Sequence, residues 1–127
     1  MLTEGASQLG ITISQQKIEQ LFSYLEILLK WNKVHNLTAI DNPSEGVKKH
    51  LLDSLSVLSF VKKGTILDVG SGAGLPGIVI AIMRDDVSVT SIDSVGKKCR
   101  FMDHARLHLD LKNFNVINDR VEMYKTN

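Results

Sequence analysis

The chain has one cysteine in 127 residues, no excess of charge of either sign and no long apolar run. A single thiol, Cys99, cannot form an internal disulfide, and the expected setting is a reducing cytoplasm. Fifteen Lys and Arg stand against 14 Asp and Glu, a net charge of +1. No bulk field draws such a chain to nucleic acid, so any contact of that kind must come from local patches. The apolar run from Ile78 to Met83 is far too short to cross a bilayer. No basic-then-apolar leader opens the chain, and no repeat or low-complexity segment is visible. What is present is an apolar fraction of 43% and a charged fraction of 23%, ordinary for one globular domain or slightly less.

The most informative stretch is Ile66-Leu67-Asp68-Val69-Gly70-Ser71-Gly72-Ala73-Gly74-Leu75-Pro76-Gly77. An apolar run, Thr65 to Val69, ends in a loop with four glycines, and a second apolar run follows. That pattern predicts a buried strand, a tight turn and a helix start. Glycines let backbone N–H groups approach a ligand with no Cβ in the way. Gly72 to Gly77 also fits G-x-G-x-x-G, the dinucleotide fingerprint, which is weak by itself. Two details argue against a pyrophosphate. Asp68 places a carboxylate beside the turn, which suits an ammonium and repels phosphate. Pro76 removes one N–H donor. Both details fit S-adenosylmethionine, which carries an amino acid and a sulfonium. A helix-capping role for Asp68, with no ligand at the turn, is the bland alternative.

Val87 to Ile92 alternates and is rich in β-branched residues, which predicts a second strand. It ends at Asp93, nineteen positions after Gly74. An acid at the tip of the second strand of a βαβ unit holds ribose hydroxyls. It serves dehydrogenases and methyltransferases alike, and capping the helix near Ser94 is a compatible second role. Upstream, Ile18, Leu21, Phe22, Leu25, Leu28 and Leu29 fall at helical spacing after Ser14, a candidate N-cap. Asn42-Pro43 breaks the chain, and Ser44 is expected to cap a second helix bearing Val47, Leu51, Leu55 and Leu58, ended by Lys62-Lys63-Gly64. After Gly77 the order is helix, strand, helix (Gly96 to Leu111) and strand (Phe114 to Asn118). The fold class is therefore α/β, with three parallel strands and right-handed crossovers. Residues 1–62 read as an N-terminal helical segment and residues 63–127 as a partial Rossmann-like domain.

From about residue 14 to residue 124 the chain resembles the bacterial small-subunit ribosomal RNA guanine-N7 methyltransferases, the glucose-inhibited division protein B family. The resemblance rests on Lys30-Trp31-Asn32-Lys33, Asn36-Leu37-Thr38, His50-Leu51-Leu52-Asp53-Ser54 and the glycine loop. Asp93-Ser94 with Lys97-Lys98 and Phe101, and Arg120-Val121-Glu122, complete it. It implies a class I methyltransferase with S-adenosylmethionine as cofactor and small-subunit rRNA as partner. Gly70, Ser71, Gly72, Gly74 and Leu75, with Asp68, would line the methionine end, Asp93 the ribose, and Val121 and Glu122 the adenine. The family's functional Arg falls beyond Asn127, so no catalytic residue is assigned. The family's sheet has seven strands in the order 3-2-1-4-5-7-6. Three strands imply a truncated form with the first strand as an exposed edge, expected to dimerise or aggregate.

Guanine N7 has a lone pair and no proton, so its methylation needs alignment rather than a general base. RNA contacts are expected of Lys49, His50, Lys97 and Lys98. The alternative is a solvated basic face, with His50 paired to Asp53 one turn away. Trp31 extends the apolar helix stripe and reads as core. His104 and His108 share a helix face but lack a third ligand, so no metal is expected. Cys99 stands among Lys97, Lys98 and Arg100, which could lower its pKa; an unremarkable thiol is the plainer reading. A methyltransferase with another acceptor, a non-catalytic cofactor- or RNA-binding module and an NAD-dependent dehydrogenase are the competing functions.

Overall fold

The computed structural model describes residues 2–70 and 72–119. Ser71, Val121 and Glu122 lie outside the described residues. A short helix α1 (Leu2–Gln8), which the sequence pattern did not announce, tucks Leu2 and Ala6 into the core. The Ser14 hydroxyl then accepts from the Lys17 N–H, one of the donors a helix start leaves unpaired, and α2 runs Gln15–His35. It ends where Asn36 turns left-handed at φ 51°, a conformation asparagine tolerates. Leu21, Tyr24, Leu25 and Leu28 form its buried stripe, while Phe22, expected there, is 43% exposed.

The second helical segment is capped by Asn42 and not by Ser44. The Asn42 Oδ1 accepts from the Glu45 N–H at 2.9 Å, and Pro43 fills the first helical position, where its missing N–H costs nothing. The segment consists of α3 (Pro43–Glu45), a π-helical stretch (Gly46–Leu52) and α4 (Asp53–Leu55). It buries Val47, Leu51 and Leu55 as the spacing required. It stops well before Lys62; a 3-10 turn (Leu58–Phe60) carries the chain to the sheet.

Strand β1 (Gly64–Val69), helix α5 (Gly77–Met83), strand β2 (Val87–Asp93), helix α6 (Gly96–His108) and strand β3 (Phe114–Asn118) follow. The strands are parallel in the order β1-β2-β3, with Ile66 opposite Val89 and Val89 opposite Phe114. Helix α6 stops short of Leu111 because Asp110 turns left-handed at φ 53°. Asn113 secures the turn before β3, its Nδ2 lying 2.9–3.1 Å from the Ala81, Arg84 and Val87 carbonyls.

Helices α5 and α6 both pack on β2 and β3, and α2 packs on α5 and α6. The alternation of β2 then sorts its residues: Val87, Val89 and Ser91 are buried toward the helices, as expected. On the other face Thr65, Leu67, Val69 and Ser88 are exposed. The core lies between sheet and helices and joins Leu21 and Leu28 of α2 to Ile78, Phe101 and Phe114. No helix among the described residues is long and apolar enough to cross a membrane.

Candidate cofactor site

The glycine loop leaves β1 at the carboxyl end of the sheet, beside the end of β2. Gly70 continues the ladder by one bond, its N–H donating to the Ile92 carbonyl at 2.7 Å. Gly70 and Gly72 then take φ of 72° and 62°, and a Cβ at either would meet nothing within 4 Å. These two positions face open space, which is what a ligand cradle requires. Gly74 and Gly77 serve packing instead. A Cβ at Gly74 would run into the Ile78 side chain and lie 3.4 Å from Met102. At Gly77 it would sit 2.7 Å from Asp68 Oδ2 and 2.8 Å from Ser91 Oγ. The sequence reading treated Gly74 as ligand-lining; its missing side chain answers to the core. Leu75 is half-buried and packs against that core.

Two carboxylates bracket the loop. Asp68 points to the helix side of the sheet, where its Oδ2 accepts from the Gly77 N–H at 3.0 Å at the start of α5. The capping role weighed for Asp68 is therefore present, and it brings the negative charge to the base of the loop. Asp93, 8% exposed, accepts from the Gly72 N–H at 3.1 Å through Oδ2 and from the Val95 N–H at 2.9 Å through Oδ1. It ties the loop to the turn that opens α6. Each carboxylate oxygen has a second acceptor site, so these bonds leave capacity for a hydroxyl. The donor set suits a ligand with hydroxyls and a cation. A pyrophosphate would face two acids and a Gly72 N–H already in use.

Tyr24 was missed by the sequence reading. It is fully buried on α2, and its hydroxyl donates to the Ala73 carbonyl at 2.6 Å, fastening the loop to the N-terminal helices. Burial keeps this phenol un-ionised, its pKa pushed far up. The available signal was position: Tyr24 lies three residues after Leu21, on the same stripe. Ser91, also on the helix side, is fully buried, and its Oγ has no partner among the described residues.

A second polar cluster joins the three N-terminal motifs. The Thr38 N–H donates to Asn32 Oδ1 at 2.8 Å, and the Ile40 N–H donates to Thr38 Oγ1 at 3.2 Å. Thr38 Oγ1 lies 2.9 Å from Nε2 of His50, which sits in the π-helical stretch. The expected pairing of His50 with Asp53 does not form: no hydrogen bond or ion pair joins them, and the ring turns to Thr38. Burial holds the imidazole pKa below its ordinary value, against the weaker opposing pull of the Asp53 charge.

The remaining candidates separate by position. Lys49 is exposed and meets Glu45 at 3.3 Å, while Lys97 and Lys98 open α6 half-buried. Cys99 is buried and donates to the Asp93 carbonyl at 3.3 Å. Burial first, and the Asp93 charge second, push its pKa up, so the basic neighbours do not activate it. Trp31 is partly buried with its ring centroid 5.6 Å from Phe101 and 4.9 Å from His104, in line with a packing role. His104 and His108 stack at 6.0 Å, and no group of three His, Cys, Asp or Glu among the described residues could hold a metal ion. A cleft of about 300 Å³ opens beside β3, lined by Gly96, Cys99, Arg100 and Asn118. A larger one, about 380 Å³ beside Lys17 and Asn113, touches none of the loop residues.

A glycine loop closing the first strand of a parallel βαβαβ unit, with an acid at the tip of the second strand, defines a Rossmann-like fold of the class I methyltransferases. The fold matches the crystal structure of coclaurine N-methyltransferase bound to N-methylheliamine and SAH with a TM-score of 0.57. That match covers 98% of this chain and 43% of that one at 16% identity, a likeness of fold. Residues 17–127 match the family described as GidB, rRNA small subunit methyltransferase G, and the chain belongs to that family. Relatives named ribosomal RNA small subunit methyltransferase G agree. The chain is 56% identical to that of Ruthia magnifica over 125 residues and 53% identical to that of Methylobacillus flagellatus over 124. The relative from Pseudomonas fluorescens is 50% identical over 124 residues. Each match covers 98% of this chain, which spans 62%, 60% and 58% of the respective relatives.

Proposed function

We propose that this chain carries the cofactor site of an S-adenosylmethionine-dependent enzyme that methylates guanine N7 in small-subunit rRNA. The observation that carries the reading is the loop itself: two open glycine positions between two carboxylates, in a member of an rRNA methyltransferase family. Residues 63–127 form the cofactor-binding part and residues 1–62 the segment on its acceptor side. Gly70, Gly72, Gly74 and Leu75 border the methionine end, and Asp68 attracts its ammonium. Asp93 takes the ribose hydroxyls, and Val121 and Glu122, with Ser71, complete the set outside the described residues. Bound there, the cofactor supplies an electrophilic methyl group on sulfur.

The protein's task is alignment. N7 presents a lone pair and loses no proton, so no general base is needed, in keeping with a loop flanked by acceptors and backbone donors. Lys49, Lys97 and Lys98 are placed to neutralise RNA phosphates. An rRNA substrate goes with a cytoplasmic location. The test is transfer of a labelled methyl group to small-subunit rRNA, with 7-methylguanosine identified after digestion. Label in 7-methylguanosine is the expected result. Label in another base or in a small acceptor overturns the guanine reading in favour of a different methyltransferase.

A second reading has its own support. Strand β1 is hydrogen-bonded on one side only, and Leu67 and Val69 are 48% and 49% exposed. Parallel sheets are ordinarily covered on both faces. We infer from this that the isolated chain self-associates through β1. A cofactor-binding module without turnover is the outcome if S-adenosylhomocysteine binds and no methyl group moves.

A further inference from the structure

The motifs Lys30–Lys33, Asn36–Thr38 and His50–Ser54 are separate in sequence, and the fold brings Asn32, Thr38 and His50 into one hydrogen-bonded cluster. The cluster belongs to the elements that flank the glycine loop. Tyr24, eight residues before Asn32 on α2, holds the Ala73 carbonyl. A Cβ on Gly46, which opens the π-helical stretch, would lie 2.5 Å from Leu25, and α4 packs on α5, the helix that begins at Gly77. His50 is therefore carried on the β1 side of the loop, away from Asp93 and β3. On the reading proposed above, that is the methionine side, where the methyl acceptor must lie.

Hydrogen-bond accounting fixes the tautomer of His50. Thr38 Oγ1 already accepts from the Ile40 N–H. Its own proton needs an acceptor, and among the described residues the one within reach is His50 Nε2 at 2.9 Å. A ring that accepts at Nε2 and is neutral carries its proton on Nδ1. No described residue bonds that Nδ1, which leaves a fixed N–H donor free on a half-buried ring. We propose that His50 is the specificity residue for the acceptor base: its Nδ1–H donates to O6 of guanine beside N7, leaving the N7 lone pair free for the methyl group. Adenine presents an N6 amino donor at the same place, so a donor here rejects it. A neutral donor also avoids opposing the positive charge that methylation puts on the base, and burial keeps the ring neutral.

The inference rests on the guanine reading and is tested apart from it. The chain labelled with 15N-histidine is titrated with guanosine 5′-monophosphate and, separately, adenosine 5′-monophosphate, followed by NMR. The free chain should show His50 protonated at Nδ1. Guanosine monophosphate should move that signal saturably and bind roughly fivefold to tenfold tighter than adenosine monophosphate. His50→Asn, which keeps an N–H donor near the Nδ1 position, should retain the preference, and His50→Ala should lose it. A proton on Nε2, equal binding of the two nucleotides, or guanosine monophosphate binding that leaves His50 unmoved overturns the proposal, whatever the variants do. Failure of the same sample to bind S-adenosylhomocysteine counts instead against the cofactor reading.

Discussion

Asp68 and Asp93 hold the backbone in place and set the charge of the site at the same time, and the two duties can be separated. Asp68→Asn keeps an oxygen for the Gly77 N–H and removes the charge. It should leave stability nearly unchanged and weaken S-adenosylhomocysteine binding about tenfold, the worth of one charge-assisted contact. Asp68→Ala should also lose the cap, at about 1 kcal/mol in urea unfolding. Unchanged affinity in both variants would make Asp68 structural only. His50 gives a second prediction at this scale. Its pKa is lower in the folded chain than the ordinary 6.5, so the unfolded chain takes up its proton first. This contribution to stability is whole above the unfolded pKa and is lost as pH falls through the folded one. Urea midpoints at about pH 7.5 and about pH 5 should therefore differ more for the wild type than for His50→Gln. Equal differences would contradict the shift.

At the scale of elements, α2 works as a brace for the glycine loop through one buried bond from Tyr24 to Ala73. Tyr24→Phe keeps the ring packed and leaves the carbonyl without its partner, at a cost of about 1–2 kcal/mol in urea unfolding. Affinity for S-adenosylhomocysteine should fall with it, as the loop loses its tie to the helices. Intact affinity in a destabilised Tyr24→Phe would show that the loop is held by Asp93 alone. The sequence made the βαβαβ order plain because alternation in β2 and the glycine-rich turn are strong local signals, and the Ser14 cap was equally direct. Other features depend on contacts that no local pattern encodes. Two buried residues, Leu2 and Ala6, are too few to announce α1. Asn42 outcompetes Ser44 because Pro43 fixes the first helical residue after it. The division of the glycines, with Gly70 and Gly72 open and Gly74 and Gly77 packed, follows from Ile78, Met102 and Ser91, which fold back on the loop. The meeting of Thr38 with His50 depends on the path of the chain between α2 and the π-helical stretch.

At the scale of the whole molecule, helices cover one face of a three-stranded sheet, and β1 offers a free edge with Leu67 and Val69 exposed beside it. Such an edge is a template for another strand. Sedimentation should show concentration-dependent association of the chain, and Leu67→Lys with Val69→Lys should shift it toward monomer while leaving the helix-side core intact. A wild type that stays monomeric at every concentration would remove the edge from the account. The central claim is the identity of the ligand at the glycine loop, and calorimetric titration with S-adenosylhomocysteine, with NAD as the control, tests it most directly. Saturable binding of S-adenosylhomocysteine and none of NAD is the predicted result; binding of NAD alone would contradict the methyltransferase reading of the site.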